Sequence, residues 1–219
     1  MNHADPAARS DSATRRSAHV RVALGYEPPA DREDGRIWIP MGGSHRVAAL
    51  SDTRKASLLR AVLDLKPEPG ARLVLLGLEV DALDPAERAA LRARVAFLPA
   101  GGGLLSNLNA WENIVLPLGF HTPERLRGAA GEVDDLLKGL GADPHGLLAK
   151  LPERMSAYEK KLAGYVRILL ERPELVLVED LRGGLDAAER AGMAGFFPTY
   201  QARCPGGTFV QLGGSPEAS

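Results

Sequence analysis

The chain has 219 residues, 45% of them hydrophobic, which is enough for a packed α/β core of one domain with a small insert. Net charge is −1, with 27 basic and 28 acidic residues interspersed, so no nucleic-acid footprint or polybasic membrane patch is expected. One cysteine, Cys204, excludes an intrachain disulfide framework and a cysteine metal cluster, and no apolar run approaches the ~20 residues that span a bilayer.

Residues 1–19 are polar, carry aspartates and lack an apolar signal core, so they read as a disordered tail ahead of a single domain over 20–219. "VRVALGY" (20–26) alternates as an edge strand, "EPPADREDG" is a turn-rich loop, and "RIWIP" resumes a strand. "GGSH" is expected to turn that strand into "RVAAL". Leu58, Leu59, Val62, Leu63 and Leu65 have helical spacing and predict a helix over 56–65, closed by "KPEPG". "ARLVLLG" is a further strand.

Asp84 with Glu87 three residues on is the sequence form of a capping box before a short charged helix. "VAFLP" is a strand, and "AGGGLLSNLNAWENIVLPLGF" opens as a loop and turns helical. Residues 124–150 are largely helical and charged, which outlines a helical subdomain over approximately 104–165. "SAYEKKLAGYVRILLERPE" is an amphipathic helix with Ser156 as N-cap and Pro173 past its end. "LVLVED" is apolar without alternation, as in a buried parallel strand. A helix over 186–203 and a strand at "GTFVQLGG" complete the chain. Strands alternating with helices predict a mostly parallel sheet flanked by helices, with an antiparallel edge.

The order of these segments resembles an ATP-binding cassette (ABC) ATPase, the nucleotide-binding subunit of ABC transporters, from about residue 20 onward. "MSAYEKKLAGYVRILLERPELVLVEDLRGGLD" resembles the signature helix, Walker B strand and D-loop without a gap from Ser156 through Glu179 to Asp186. Arg167 falls on the arginine of that helix. "GGLLSNLNAWENIVLPL", with its Glu112-Asn113 pair, looks closest to the bacterial Mla-like branch that drives lipid trafficking.

The resemblance implies a P-loop NTPase-like fold, ATP and Mg²⁺ as ligands, and a membrane permease subunit or a second ABC ATPase subunit as partner. It also implies a cytoplasmic protein, peripheral at the inner membrane through the permease and not itself inserted. Position by position, however, the sequence departs from the family pattern. Lys55 falls on the phosphate-loop lysine, but Ala49 and Arg54 replace the two glycines that let backbone amides face the phosphates. Ala56 replaces the Mg²⁺-binding hydroxyl, and Ser57 comes one residue, about 100° of helix, too late.

The Walker B carboxylates are inverted, Glu179 then Asp180, which leaves Glu179 to reach a metal through water and gives Asp180 a short reach for base work. Ala100 replaces the Q-loop glutamine, Ala157 and Tyr158 the signature glycines, and Gly214 the switch histidine. Tyr26 could stack on adenine; its alternative is a core or edge-strand aromatic. Ser156 and Asp186 remain on the signature serine and D-loop aspartate, Ser156 having a helix cap as its alternative role. The chain stops soon after Gly214, so the C-terminal dimer helices of many members are not expected.

Three functions are open on these residues: a degenerate, weakly binding or non-hydrolysing pseudo-ATPase that docks a permease or partner ATPase; a divergent active Mg-ATPase with Arg54 supplying phosphate charge; or a non-nucleotide α/β regulatory module.

Overall fold

The edge strand predicted at 20–26 is corrected to an interior strand with residues 23–26 buried, paired on both sides, and the unbroken apolar run at 175–178 is a buried strand of a second sheet. The computed structural model describes residues 22–30, 35–48 and 50–213. The expected N-terminal tail, Ala49 and Gly214 lie outside the described residues. The chain divides into two compact units, one within Met1–Gly42 and Leu50–Ala93, the other Gly43–Ala49 with Arg94–Ser219.

The first unit carries a four-stranded antiparallel sheet of β1 (Val22–Glu27), β2 (Ile37–Pro40), β4 (Arg72–Leu75) and β5 (Leu78–Glu79), in the order β2-β1-β4-β5. Gly25 opposes Trp38, and a Cβ at Gly25 would fall 2.5 Å from the indole, so the ring lies across the glycine. A two-residue turn joins β4 to β5 with Leu76 and Gly77 both left-handed, the twist-matched form for a tight hairpin. The Leu76 and Gly77 amides donate to the carbonyls of Ala23 and Val22, which ties the turn to β1.

Helix α1 (Asp52–Asp64) buries Leu58, Ala61 and Val62 and ends where Leu65 turns left-handed. Arg88 of α2 (Pro85–Arg92) donates to the Leu65 carbonyl at 3.1 Å. α2 begins with the Asp84–Glu87 capping box that the sequence predicts. The expected start of α1 at Ala56 is corrected to Asp52. Ser51 supplies an N-cap oxygen that makes the earlier start favourable.

The second unit carries an all-parallel sheet of β3 (Gly43–Val47), β8 (Thr208–Leu212), β7 (Leu175–Glu179) and β6 (Val95–Leu98), in that spatial order. "GGSH" is therefore not a turn but the entry into β3. The chain bends at Met41 and Gly42, and the polar Ser44 and Arg46 are tolerated because β3 is an edge strand with both side chains exposed. β7 is central, and Leu175–Val178 are wholly buried.

Helices α3 (Ala110–His121), α4 (Leu126–Gly139), α5 (Pro144–Leu147), α6 (Ala157–Glu171), α7 (Ala187–Gly192) and α8 (Phe196–Arg203) belong to this unit. Ile114, Leu137, Leu162, Val166, Val178 and Phe209 share one apolar cluster, so the helices of the 104–165 region are built on the same core as β7 and β8. The helix expected over 186–203 is broken by a 3₁₀ turn at Met193–Gly195. Tyr165 stacks on Phe196 with ring centroids 3.9 Å apart and donates its hydroxyl to the Phe196 carbonyl. Among the described residues no helix is long and apolar enough to cross a membrane.

Candidate functional site

The predicted site residues fall in both units, and each group is built from its own surroundings. In the first unit, Arg54, Lys55 and Ser57 lie on the first two turns of α1. An N-terminal turn leaves its leading amides without helical partners, and a phosphate nest uses such amides as donors. Here the Ser51 hydroxyl accepts from the Arg54 amide at 3.2 Å, and the Ser51 carbonyl accepts from the Lys55 amide at 2.9 Å. The Lys55 ammonium lies 3.7 Å from the Asp52 carboxylate one turn back. The Arg54 Nε is enclosed without a hydrogen-bond partner. Ser57 is half-buried one position beyond Ala56. Tyr26 is buried in β1, and its hydroxyl donates to Glu68 at 3.1 Å.

In the second unit, Glu179 ends β7 opposite Leu212 and is half-buried. Asp180 adopts a left-handed backbone, φ 41°, a conformation Asp tolerates better than most residues. Its Oδ1 accepts from the Gly183 amide at 3.0 Å, and its own amide donates to the Leu212 carbonyl at 3.3 Å. The carboxylate thus shapes the turn that follows the strand. Among the described residues, no group of three or more His, Cys, Asp or Glu is placed to hold a metal.

Ser156 is the N-cap of α6 and forms a capping box with Glu159: the serine hydroxyl accepts from the Glu159 amide, and Glu159 Oε2 accepts from the Ser156 amide. The other Glu159 oxygen takes the Lys150 ammonium at 2.6 Å. Partial burial pushes the Glu159 carboxyl up, but the Lys150 and Ser156 hydrogen bonds outweigh it and hold the group below its ordinary value. Tyr158 is half-buried, its hydroxyl within 2.8 Å of where a Cβ on Gly192 would stand, and burial pushes its phenol up. Asp186 N-caps α7 in a second capping box with Glu189.

The loop after β6 is held by α6 and α3. Gly102 has φ 83°, and a Cβ there would stand 2.2 Å from the Lys160 carbonyl; a Cβ on Gly164 would stand 2.2 Å from the Gly102 carbonyl. Two glycines therefore let the loop lie directly on α6. Arg167 donates to the Gly103 carbonyl at 2.7 Å. Asn113, fully buried, accepts from the Leu105 amide at 2.7 Å and donates to the carbonyls of Leu105, Leu108 and Asn109. Glu112 closes a capping box with Asn109.

Sequence reasoning missed Lys161. This lysine is 3% exposed, and its ammonium donates to the carbonyls of Asp180, Leu181 and Gly183. The available signal was its place, among the buried apolar positions Leu162, Tyr165 and Leu169 rather than on the polar face.

No protein-family model matches the chain. Among curated proteins it is similar to the methionine import ATP-binding protein MetN 2 of Pseudomonas aeruginosa, with 30% identity over 177 residues, 79% of this chain and 50% of that protein. It is also similar to the ergothioneine transport ATP-binding protein EgtV of Helicobacter pylori, with 26% identity over 173 residues, 78% of each chain. The chain thus spans about half the length of the MetN 2 relative. Among solved structures, a dimeric ATP-binding cassette in a post-hydrolysis state bound to ADP and Pi superposes with TM-score 0.65 at 16% identity, covering 88% of each chain, a likeness that speaks to the fold. The parallel β3-β8-β7-β6 sheet and the separate antiparallel sheet match the fold of ATP-binding cassette ATPases, and over more than three quarters of its length the chain is similar in sequence to the ATP-binding proteins of ABC transporters.

Proposed function

We propose that this chain is a pseudo-ATPase subunit: an ATP-binding cassette scaffold that binds Mg-ATP weakly or not at all, hydrolyses it very slowly if at all, and serves by docking a membrane permease or a partner ATPase subunit. The observation that carries this reading is the start of α1. Two of the amides a phosphate would need are already satisfied by Ser51, and the Lys55 ammonium faces Asp52. Asp180, at the position where the attacking water is polarised in the family, has its carboxylate engaged by Gly183. Ser156 and Asp186, the remaining matches to nucleotide-contacting positions, are engaged as helix caps. On this reading the residues present do not fit Mg-ATP.

Residual docking follows from what the scaffold keeps, namely a complete core, the Asn113 loop pin and four capping boxes at α2, α3, α6 and α7. The protein would then sit in the cytoplasm, at the membrane only through its permease. A lipid cargo is the reading of "GGLLSNLNAWENIVLPL", and it rests on sequence resemblance; the named relatives import methionine or transport ergothioneine.

The enclosed, unpartnered Arg54 Nε supports a second reading, a divergent active ATPase in which this side chain meets phosphate. One experiment separates the two. A ligand that binds the native state stabilises it by RT ln(1+[L]/Kd). Thermal unfolding with millimolar Mg-ATP or ADP is expected to show no shift and phosphate release no turnover; a shift abolished by Lys55→Ala, with steady phosphate release, would establish the active ATPase instead. Co-purification with a permease or an ordinary ATPase subunit separates docking from an unrelated regulatory role.

A further inference from the structure

We infer that Lys161 is a resident cation that locks the turn between β7 and α7, so that the chain itself, and not a bound ligand, sets the conformation leading to Asp186. The Lys161 Nζ lies 2.6 Å from the Asp180 carbonyl oxygen, 2.9 Å from that of Gly183 and 3.3 Å from that of Leu181. An ammonium has three protons and no acceptor, so three converging carbonyls saturate it. Hydrogen bonds with a charged donor are shorter and about twice as strong as neutral ones, and burial removes the competing water.

The same three carbonyls come from a segment whose backbone has no ladder or helix to satisfy it. Four residues after β7, the chain still lacks regular partners until Asp186 caps α7. The lysine supplies the donors that secondary structure does not. Burial lowers the amine below its ordinary value, and the neighbouring Asp180 carboxylate opposes that shift, so the geometry of the three carbonyls is what holds the ammonium.

The turn is closed from its other side as well. Asp180 takes the left-handed conformation and caps the Gly183 amide; a Cβ on Gly183 would stand 1.8 Å from that carboxylate, so a larger residue there would force the carboxylate to shift. Beyond it, Gly184 turns with φ 72° and Leu185 is buried, 4% exposed, which delivers Asp186 to its cap. Lys161 is positioned by α6, whose neighbours Leu162, Val166 and Leu169 are wholly enclosed in the core. A buried helix thus presents one cation to a loop 19 to 22 residues away in sequence. The lock acts whether or not the chain binds nucleotide, so it stands apart from the pseudo-ATPase reading.

Amide hydrogen exchange on the full chain tests it. In Lys161→Met, which keeps the stem and removes the ammonium, amides of 181–186 are expected to exchange about tenfold faster or more, tenfold being the equivalent of ~1.4 kcal/mol in local opening. Exchange in β6 and α4 is expected to stay unchanged. An unchanged 181–186 segment, or an equal acceleration throughout the second unit, would overturn the assignment. Should Lys161→Met fail to fold, native-state amine acetylation of the wild-type chain decides: Lys161 is expected to resist labelling while the exposed Lys138 reacts, and equal labelling of the two would overturn it.

Discussion

The Asp180 carboxylate accepts a hydrogen bond from the Gly183 amide at 3.0 Å, and the two residues approach so closely that a methyl group at 183 would overlap the carboxylate. A carboxylate held this way is a turn-former first. Gly183→Ala is expected to destabilise the chain by about 1–3 kcal/mol, the usual cost of forcing an extra methyl into a filled space. Asp180→Asn keeps an oxygen acceptor and the tolerance for a left-handed backbone, so its cost is expected to stay well below that of Gly183→Ala. Urea unfolding of the two variants checks the order.

Asn113 carries four hydrogen bonds from a fully buried side chain to the loop at 105–109. Asn113→Ala leaves the Leu105 amide and several carbonyls without that partner and is expected to cost about 1–3 kcal/mol. Asn113→Asp is expected to be worse at neutral pH, because a carboxylate would replace the amide nitrogen that faces three carbonyl oxygens. Denaturant midpoints measured at pH 7 distinguish the two outcomes.

Glu132 on α4 gathers Arg172 and Arg203 by hydrogen bonds, with Arg125 also in ion-pair range. Partial burial pushes the Glu132 carboxyl up, but the Arg172 and Arg203 guanidiniums outweigh it and hold it below 4.5. A carboxyl depressed in the folded state contributes stability that is present above its unfolded pKa and is lost as pH falls through the folded value. Wild-type melting temperature is therefore expected to drop as pH is lowered below about 4.5, and Glu132→Gln to lose part of that acid sensitivity while being less stable at pH 7. Thermal melts from pH 7 to pH 3 measure both. An unchanged acid slope in the variant would remove Glu132 from the account.

Ser51 caps α1 through the Arg54 amide. Ser51→Ala is expected to cost about 0.5–2 kcal/mol, and Ser51→Gly only a few tenths. On the pseudo-ATPase proposal neither variant is expected to gain a thermal shift with Mg-ATP, because Asp52 stays beside Lys55. A shift in either one would show that the cap was what kept phosphate out.

The sequence by itself determined what depends on neighbours three or four residues apart. The capping boxes at Asp84 and Ser156, the helices they open, and the buried parallel strand at 175–179 follow from local side-chain reach and from apolar periodicity. The start of α1 differs: capped by Ser51, it begins at Asp52, four residues before the Ala56 start the apolar spacing predicts, because a cap acts ahead of the face it precedes.

Only the tertiary structure decided the rest. That Gly43–Val47 is a strand depends on β8, whose register partners begin 165 residues later at Thr208. That Lys161 is buried, and that Asp180 is bound to a turn and Tyr26 to Glu68, depends on which groups the fold brings within hydrogen-bond distance. A charged or aromatic residue reads the same in a sequence whether it awaits a ligand or already has its partner. The difference is a matter of a few ångströms across the fold.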